Sequence, residues 1–227
     1  VSTSPPWQDL PPTAPVALRI AADAADAIVT GSTPAGALIT EAGIAEPLGA
    51  SRTPAREAMV QLSRWGLVRL VPKKGAVVTT VSTADRRDLL EVRLMFESRA
   101  AQLLADDRAR RESVVKHLRD AVAAQRRALA DDDLQAFAGQ DVAFHLAVIA
   151  ATENKVVDEV MASLAPRLAR LIHLAVSDNP EAATVFCQEH SRMAELLADG
   201  DSSGYVELLG THIAAGHVAP GEFGLAR

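Results

Sequence analysis

With 227 residues and a mass of 24.0 kDa, the chain has room for one large domain or two modest ones. Apolar residues at 48% and charged residues at 23% exclude a disordered tail, and aromatics at only 4% argue against a sandwich or barrel and for helices. The formal net charge of −6, taken whole, argues against a nucleic-acid partner.

The charge is unevenly placed. Between residues 36 and 80, six bases (Arg52, Arg56, Arg64, Arg69, Lys73, Lys74) face three acids (Glu41, Glu46, Glu57), while from Val81 onward sixteen bases face twenty-three acids. A small basic segment is thus joined to a larger acidic one, the pattern of a polyanion-binding half and a sensing half. A single cysteine, Cys187, excludes an internal disulfide framework and suits a reducing cytoplasm. No apolar run approaches the roughly 18–20 residues of a membrane helix, and the N-terminus lacks the basic and apolar regions of a signal peptide. The expected protein is cytoplasmic, with no membrane partner.

In chain order, residues 1–14 are rich in proline and read as a disordered arm, with Trp7 as its one candidate for docking. Pro15 opens a helix whose apolar stripe is Leu18, Ile20, Ala24 and Ile28, and Gly31 stops it. A second short helix runs from near Thr40 to Leu48-Gly49, with Pro47 inside it. Ser51 is positioned to cap a third helix, with Pro54 in its first turn, that continues to Gly66. Two β-branched runs, 67–71 and 76–81, flank Pro72-Lys73-Lys74-Gly75 and predict a hairpin with Gly75 in its turn.

Three helices and a hairpin within about 65 residues are the plan of a winged helix-turn-helix. The third helix would place Ser51, Arg52, Thr53 and Arg56 at the end that enters a major groove, where an arginine can grip guanine O6 and N7. Lys73, Lys74 and Gly75 at the hairpin tip would follow the phosphate backbone. On their own these residues equally fit surface charges and an ordinary edge hairpin.

From Val81 on, every segment has a 3.6-residue apolar period. Helices are predicted near 84–105, 112–130, 134–151, 154–177 (bent or broken at Pro166), 180–199 and 203–217. The run Asp131–Asp133 reads as a turn feeding a helix N-terminus. Asp141 and His145, four apart, share one helix face, and His190 and His212 fall in later helices. One carboxylate and three neutral imidazoles suit Zn²⁺, or Ni²⁺, as ligands. Spacing alone leaves the alternatives open, because Asp-x-x-x-His can be an intrahelical hydrogen bond and a single helical histidine can be a core residue. Likewise Arg93 can pair with Glu97 within its helix, and Asn154 can be a helix cap. His117, His173 and His217 have no motif around them.

The block Glu41-Ala42-Gly43-Ile44-Ala45, then Gly49, Ser51-Arg52-Thr53-Pro54-Ala55-Arg56-Glu57-Ala58, Leu62, Gly66-Leu67-Val68 and Gly75 resembles the GntR family of transcription regulators over residues 16–80. Ala35 departs from that pattern, as do Pro47 and Ala42; the last stands where some relatives place a DNA-contacting arginine. Residues 84–217 resemble the all-helical FCD domain of the FadR-like branch, through Arg93-x-x-x-Glu97, Asp141-x-x-Phe144-His145, Asn154, Glu189-His190, Gly200-Asp201 and His212.

The resemblance implies a mainly α protein divided into an arm (1–14), a winged helix-turn-helix (15–81), an all-helical metal- and effector-binding domain of six or seven helices (82–217) and a tail (218–227). It implies DNA contact by Ser51, Arg52, Thr53, Arg56, Lys73, Lys74 and Gly75, and a divalent metal, expected to be Zn²⁺, on Asp141, His145, His190 and His212. A small organic acid effector would touch Arg93 and Asn154, and a homodimer would bind a palindromic double-stranded DNA operator. The expected function is a non-enzymatic transcription regulator, a repressor. The rival readings are a regulator that answers to the ion itself and a metal-dependent hydrolase, and the second has no general-base motif beside the ligands.

Overall fold

The computed structural model describes Trp7 and residues 10–217, with side chains through Ala214. The remainder of the arm and the tail 218–227 lie outside the described residues, as does the side chain of His217. Trp7, the arm's expected candidate for docking, is buried, and its indole N–H donates to Asp26 Oδ1 at 2.9 Å.

The first three helices are α1 (Val16–Val29), α2 (Glu41–Ala45, continued by a 3-10 turn at Glu46–Leu48) and α3 (Arg52–Arg64). Pro47 explains the shortened second helix, because it supplies no backbone N–H to extend the α pattern. Helix α3 buries Ala55, Ala58, Met59 and Leu62, a 3.6-period stripe that seats it on α1 and leaves Arg52, Thr53 and Arg56 exposed. Ser51 occupies the N-cap position in extended backbone, though its side chain makes no capping hydrogen bond.

The hairpin is β2 (Val68–Val71) and β3 (Gly75–Val78), and the structure adds a strand that the sequence pattern does not show, β1 (Leu38–Ile39). The antiparallel order is β1-β3-β2, with Ile39 opposite Ala76 and Val71 opposite Gly75. Two residues are too few to display a period of two. Gly75 has φ of 114°, and a Cβ there would collide with the carbonyl oxygen of Ile39. The hairpin tip therefore needs glycine for backbone reasons before any contact with DNA is considered.

Six long helices follow: α4 (Thr83–Asp106), α5 (Arg108–Ala130), α6 (Leu134–Ile149), α7 (Lys155–Asp178), α8 (Pro180–Asp199) and α9 (Ser202–His217). Their starts are set by local polar chemistry. Ser82 and Asp85 form a capping box on α4, Asp107 caps α5 four residues earlier than predicted, and Asp133 accepts from Ala136 N at 2.8 Å on α6. Helix α7 runs without a break through the buried Pro166, so of the expected bend or break there is no break.

Two segments, 134–152 and α7, are long and apolar enough by mean hydropathy (1.3 and 1.2) to cross a membrane, against the expectation of none. Half or more of each is buried in the protein core, and they carry Asp141, His145, Arg167 and Arg170 inward or against other elements. Both read as core helices.

Candidate metal centre and DNA-reading groove

Helix α6 buries nearly its whole circumference, including Phe137, Val142, Phe144 and Val148, and so carries Asp141 and His145 into the middle of the bundle. Helix α8 brings His190 there and α9 brings His212. All four residues are at most 1% exposed, and one ligand atom from each lies within 4.8 Å of the others. The structure thus brings the four expected ligand residues together.

The orientation of the three imidazoles is set from outside the cluster. His145 Nδ1 lies 2.8 Å from Glu97 Oε1 on α4, His190 Nδ1 lies 3.0 Å from Gln125 Oε1 on α5, and His212 Nδ1 lies 2.6 Å from Glu189 Oε2 on α8. With each Nδ1–H donated to an oxygen, each Nε2 turns a lone pair inward. His190 Nε2 is 3.1 Å from His145 Nε2 and 3.5 Å from Asp141 Oδ1, and His145 Nε2 is 3.8 Å from Asp141 Oδ2. Among the described residues, neither oxygen of Asp141 has a hydrogen-bond partner, and nor does the Nε2 of His212. Acceptors crowded together without donors are costly in a dry interior unless a cation sits among them. Three imidazole nitrogens and one carboxylate make a borderline donor set, which fits Zn²⁺.

The acids respond to this burial. Desolvation pushes Asp141 up to about 7, against the pull of Arg93 and with a further push from Glu97. Desolvation also pushes Glu97 up to about 7, opposed by Arg93 and by the Tyr205 hydroxyl, which donates to its Oε1. Burial holds His212 well below the ordinary imidazole value, although the bond to Glu189 works the other way. His212 is therefore neutral and ready to ligate.

Arg93 on α4 stands beside the cluster. It is 1% exposed, its Nη1 lies 3.8 Å from Asp141 Oδ2, and its Nε lies 3.8 Å from Glu97 Oε2. Neither distance is a hydrogen bond, and among the described residues none of its three nitrogens has one. The intrahelical pair with Glu97 is thus too long to satisfy the guanidinium. Asn154, the other expected effector residue, is exposed, and its Oδ1 caps α7 by accepting from Val156 N at 3.0 Å.

Sequence reasoning singled out neither Gln125 nor Tyr205, and Glu189 entered it only as a neighbour of His190. A glutamine or tyrosine among apolar helix positions carries no spacing signal, and Glu189 pairs with a histidine on another helix. Cys187 is buried outside the ligand set. His117 is exposed and bonds the Ser113 carbonyl, and His173 is half-buried.

At the other end of the molecule, Arg52 and Arg56 line a groove of about 640 Å³ between α3 and the hairpin, together with Thr40, Lys73, Lys74 and Gly75. Five of the seven expected DNA-contacting residues thus border one concave surface, while Ser51 and Thr53 are exposed at the start of α3 beside it.

Residues 16–78 match the family model described as bacterial regulatory proteins, gntR family, and residues 88–215 match the FCD domain. An uncharacterized HTH-type transcriptional regulator of Agrobacterium vitis is 42% identical over 126 residues, which span 55% of this chain and 74% of that protein. The gluconate operon transcriptional repressor of Bacillus subtilis is 28% identical over 159 residues, 70% of this chain and 64% of that protein. A crystal structure of a GntR regulator from Rhodococcus sp. RHA1 shares the fold, with a TM-score of 0.74, 23% identity, and coverage of 88% of this chain and 94% of that one.

Proposed function

The chain belongs to the GntR family of bacterial regulatory proteins, with an FCD domain, and is a DNA-binding transcriptional regulator; we propose that a small carboxylate at the buried metal centre sets its operator affinity. The observation that carries this reading is Arg93, a fully buried guanidinium without a hydrogen bond beside the metal cluster. A carboxylate or a second acidic group of the effector would satisfy it with two parallel bonds.

In this reading Asp141, His145, His190 and His212 hold Zn²⁺, with Ni²⁺ as the alternative ion. When bound, the metal would take an acid's oxygens by expanding its coordination beyond the four protein ligands. Glu97, Gln125 and Glu189 keep the three imidazoles in the ligating tautomer, and Arg93 selects for negative charge. Asn154 caps α7 and would reach the effector only indirectly. The gluconate operon relative makes sugar acids the first class to try.

A homodimer would present two copies of α3 to a palindromic operator, in the cytoplasm, as a repressor. Arg52 and Arg56 would read base edges, Ser51 and Thr53 would fix the helix on phosphates or base edges, and Lys73, Lys74 and Gly75 would follow the backbone. The test is fluorescence anisotropy on an operator selected by the chain from random duplexes. It compares zinc-loaded protein with and without sugar acids, hydroxy acids and amino acids. An acid that shifts the affinity about 5–150-fold is the expected result. A steep response to zinc that no acid modifies would make the ion itself the signal, and metal-dependent turnover of an added ester would revive the hydrolase.

A further inference from the structure

Regulation requires a physical contact between the bundle and the DNA-reading elements, and α7 supplies it. This helix gives no ligand to the metal cluster, yet it packs along α6, which bears Asp141 and His145, and touches α8 and α9, which bear His190 and His212. It also meets α1.

Two arginines of α7 reach further. Arg170, 5% exposed, donates from Nη1 to the carbonyl oxygen of Thr79 at 2.9 Å, across 91 residues of sequence. Thr79 lies just past the end of β3, and its hydroxyl donates to the carbonyls of Gly66 and Leu67, both at 3.0 Å. Its own N–H donates to Leu67 O at 2.9 Å. Those carbonyls belong to the turn that ends α3. Gly66, with φ of 69°, and Leu67 close that turn by donating back to Ser63 O and Leu62 O.

Arg167 lies over the same turn. A Cβ on Gly66 would come within 3.0 Å of its Cδ and Nε, so the absence of a side chain on Gly66 allows the arginine to sit against the peptide. One face of α7 thus grips both the C-terminal end of the reading helix and the strand end that leads into α4.

We propose that Arg167 and Arg170 are positioning residues that fix the orientation of α3 and the hairpin on the bundle, and through which occupancy of the buried site is felt at the operator. The idea rests on the metal-centred reading above. Displacing α6, α8 or α9 shifts α7, and α7 can shift only by moving or releasing Thr79 and Gly66. Neither arginine would need to touch DNA or effector.

The test uses the full chain, zinc or a chelator as the probe, and the selected operator. For the wild-type chain, the ratio of operator affinities with and without zinc is measured, together with zinc stoichiometry and amide exchange over residues 66–82. Arg170→Ala and Arg167→Ala should each bind zinc at the wild-type stoichiometry, exchange faster over 66–82, and bring the affinity ratio to within about twofold of one. Arg170→Lys, which keeps one donor for Thr79, should recover part of the ratio, a rescue that loss of packing alone would not produce. If either alanine variant fails to fold, the lysine variant still has to show an intermediate ratio. A wild-type ratio retained in the alanine variants would overturn the coupling role alone. A wild-type chain whose affinity answers neither to zinc nor to any acid would overturn the metal-centred reading, and the coupling role with it.

Discussion

Zinc should raise the melting temperature of the chain, and should do so more at pH 8 than at pH 6. In the metal-free protein burial pushes Asp141 up to about 7, so at pH 6 the carboxyl is mostly protonated and the proton must leave before it can ligate. At pH 8 that competition is gone. With free zinc 100-fold above its Kd at pH 8, binding to the native state alone contributes about 2.7 kcal/mol. For a chain of this size that corresponds to a rise of roughly 5–11 °C. Binding about tenfold weaker at pH 6 leaves roughly 1.4 kcal/mol, about half the rise.

The metal-free chain should show the opposite trend with pH. Asp141 and Glu97 are both raised above their unfolded values of 3.8 and 4.5 to about 7. Their contribution to stability is fully present below the unfolded values and is lost as pH climbs through about 7. Scanning calorimetry in zinc-buffered and chelator-treated samples at the two pH values measures both effects. Equal zinc shifts at pH 6 and pH 8, or no shift at either, would refute the placement of Asp141 among the ligands.

Three further outcomes follow from named contacts. Arg52→Ala and Arg56→Ala should each weaken operator binding by about 1–3 kcal/mol in anisotropy titrations, with melting unchanged, because both side chains are exposed. Gly75→Ala should cost more than about 1 kcal/mol in chemical denaturation and also weaken operator binding, because its Cβ meets the Ile39 carbonyl at a positive φ. Glu97→Gln should lower zinc affinity about 10–100-fold in competition with a chromophoric chelator, because it removes the charge that orients His145 and accepts from Tyr205.

The long helices and the reading helix were legible because their signals are local. Apolar spacing marked Leu18, Ile20, Ala24 and Ile28 as the stripe of α1, and polar residues such as Ser51 and the run Asp131–Asp133 marked where helices begin. Strand β1 was not legible, since two residues hold no pattern and its pairing partner lies nearly forty positions away. Of the candidate ligands, only Asp141 and His145 are related by helix geometry; spacing left His190 and His212 open and only the family resemblance joined them to the set, because their approach depends on how three helices pack. The supporting shell was hidden for the same reason. Gln125, Glu189 and Tyr205 act on side chains 23 to 108 residues away, and no period links such positions. Trp7 shows a related limit: the sequence marked it as a candidate for docking but not where, and the indole found an apolar seat and an acceptor in Asp26.

We expect Asp141, His145, His190 and His212 to hold one divalent cation between them, and X-ray absorption at the zinc edge on the zinc-loaded chain reads out its neighbours. The expected result is one zinc per chain, with scattering from three imidazole nitrogens and one carboxylate oxygen at about 2.0–2.2 Å, all lost in His190→Ala. Zinc bound without imidazole neighbours, or bound equally well by His190→Ala, would contradict it.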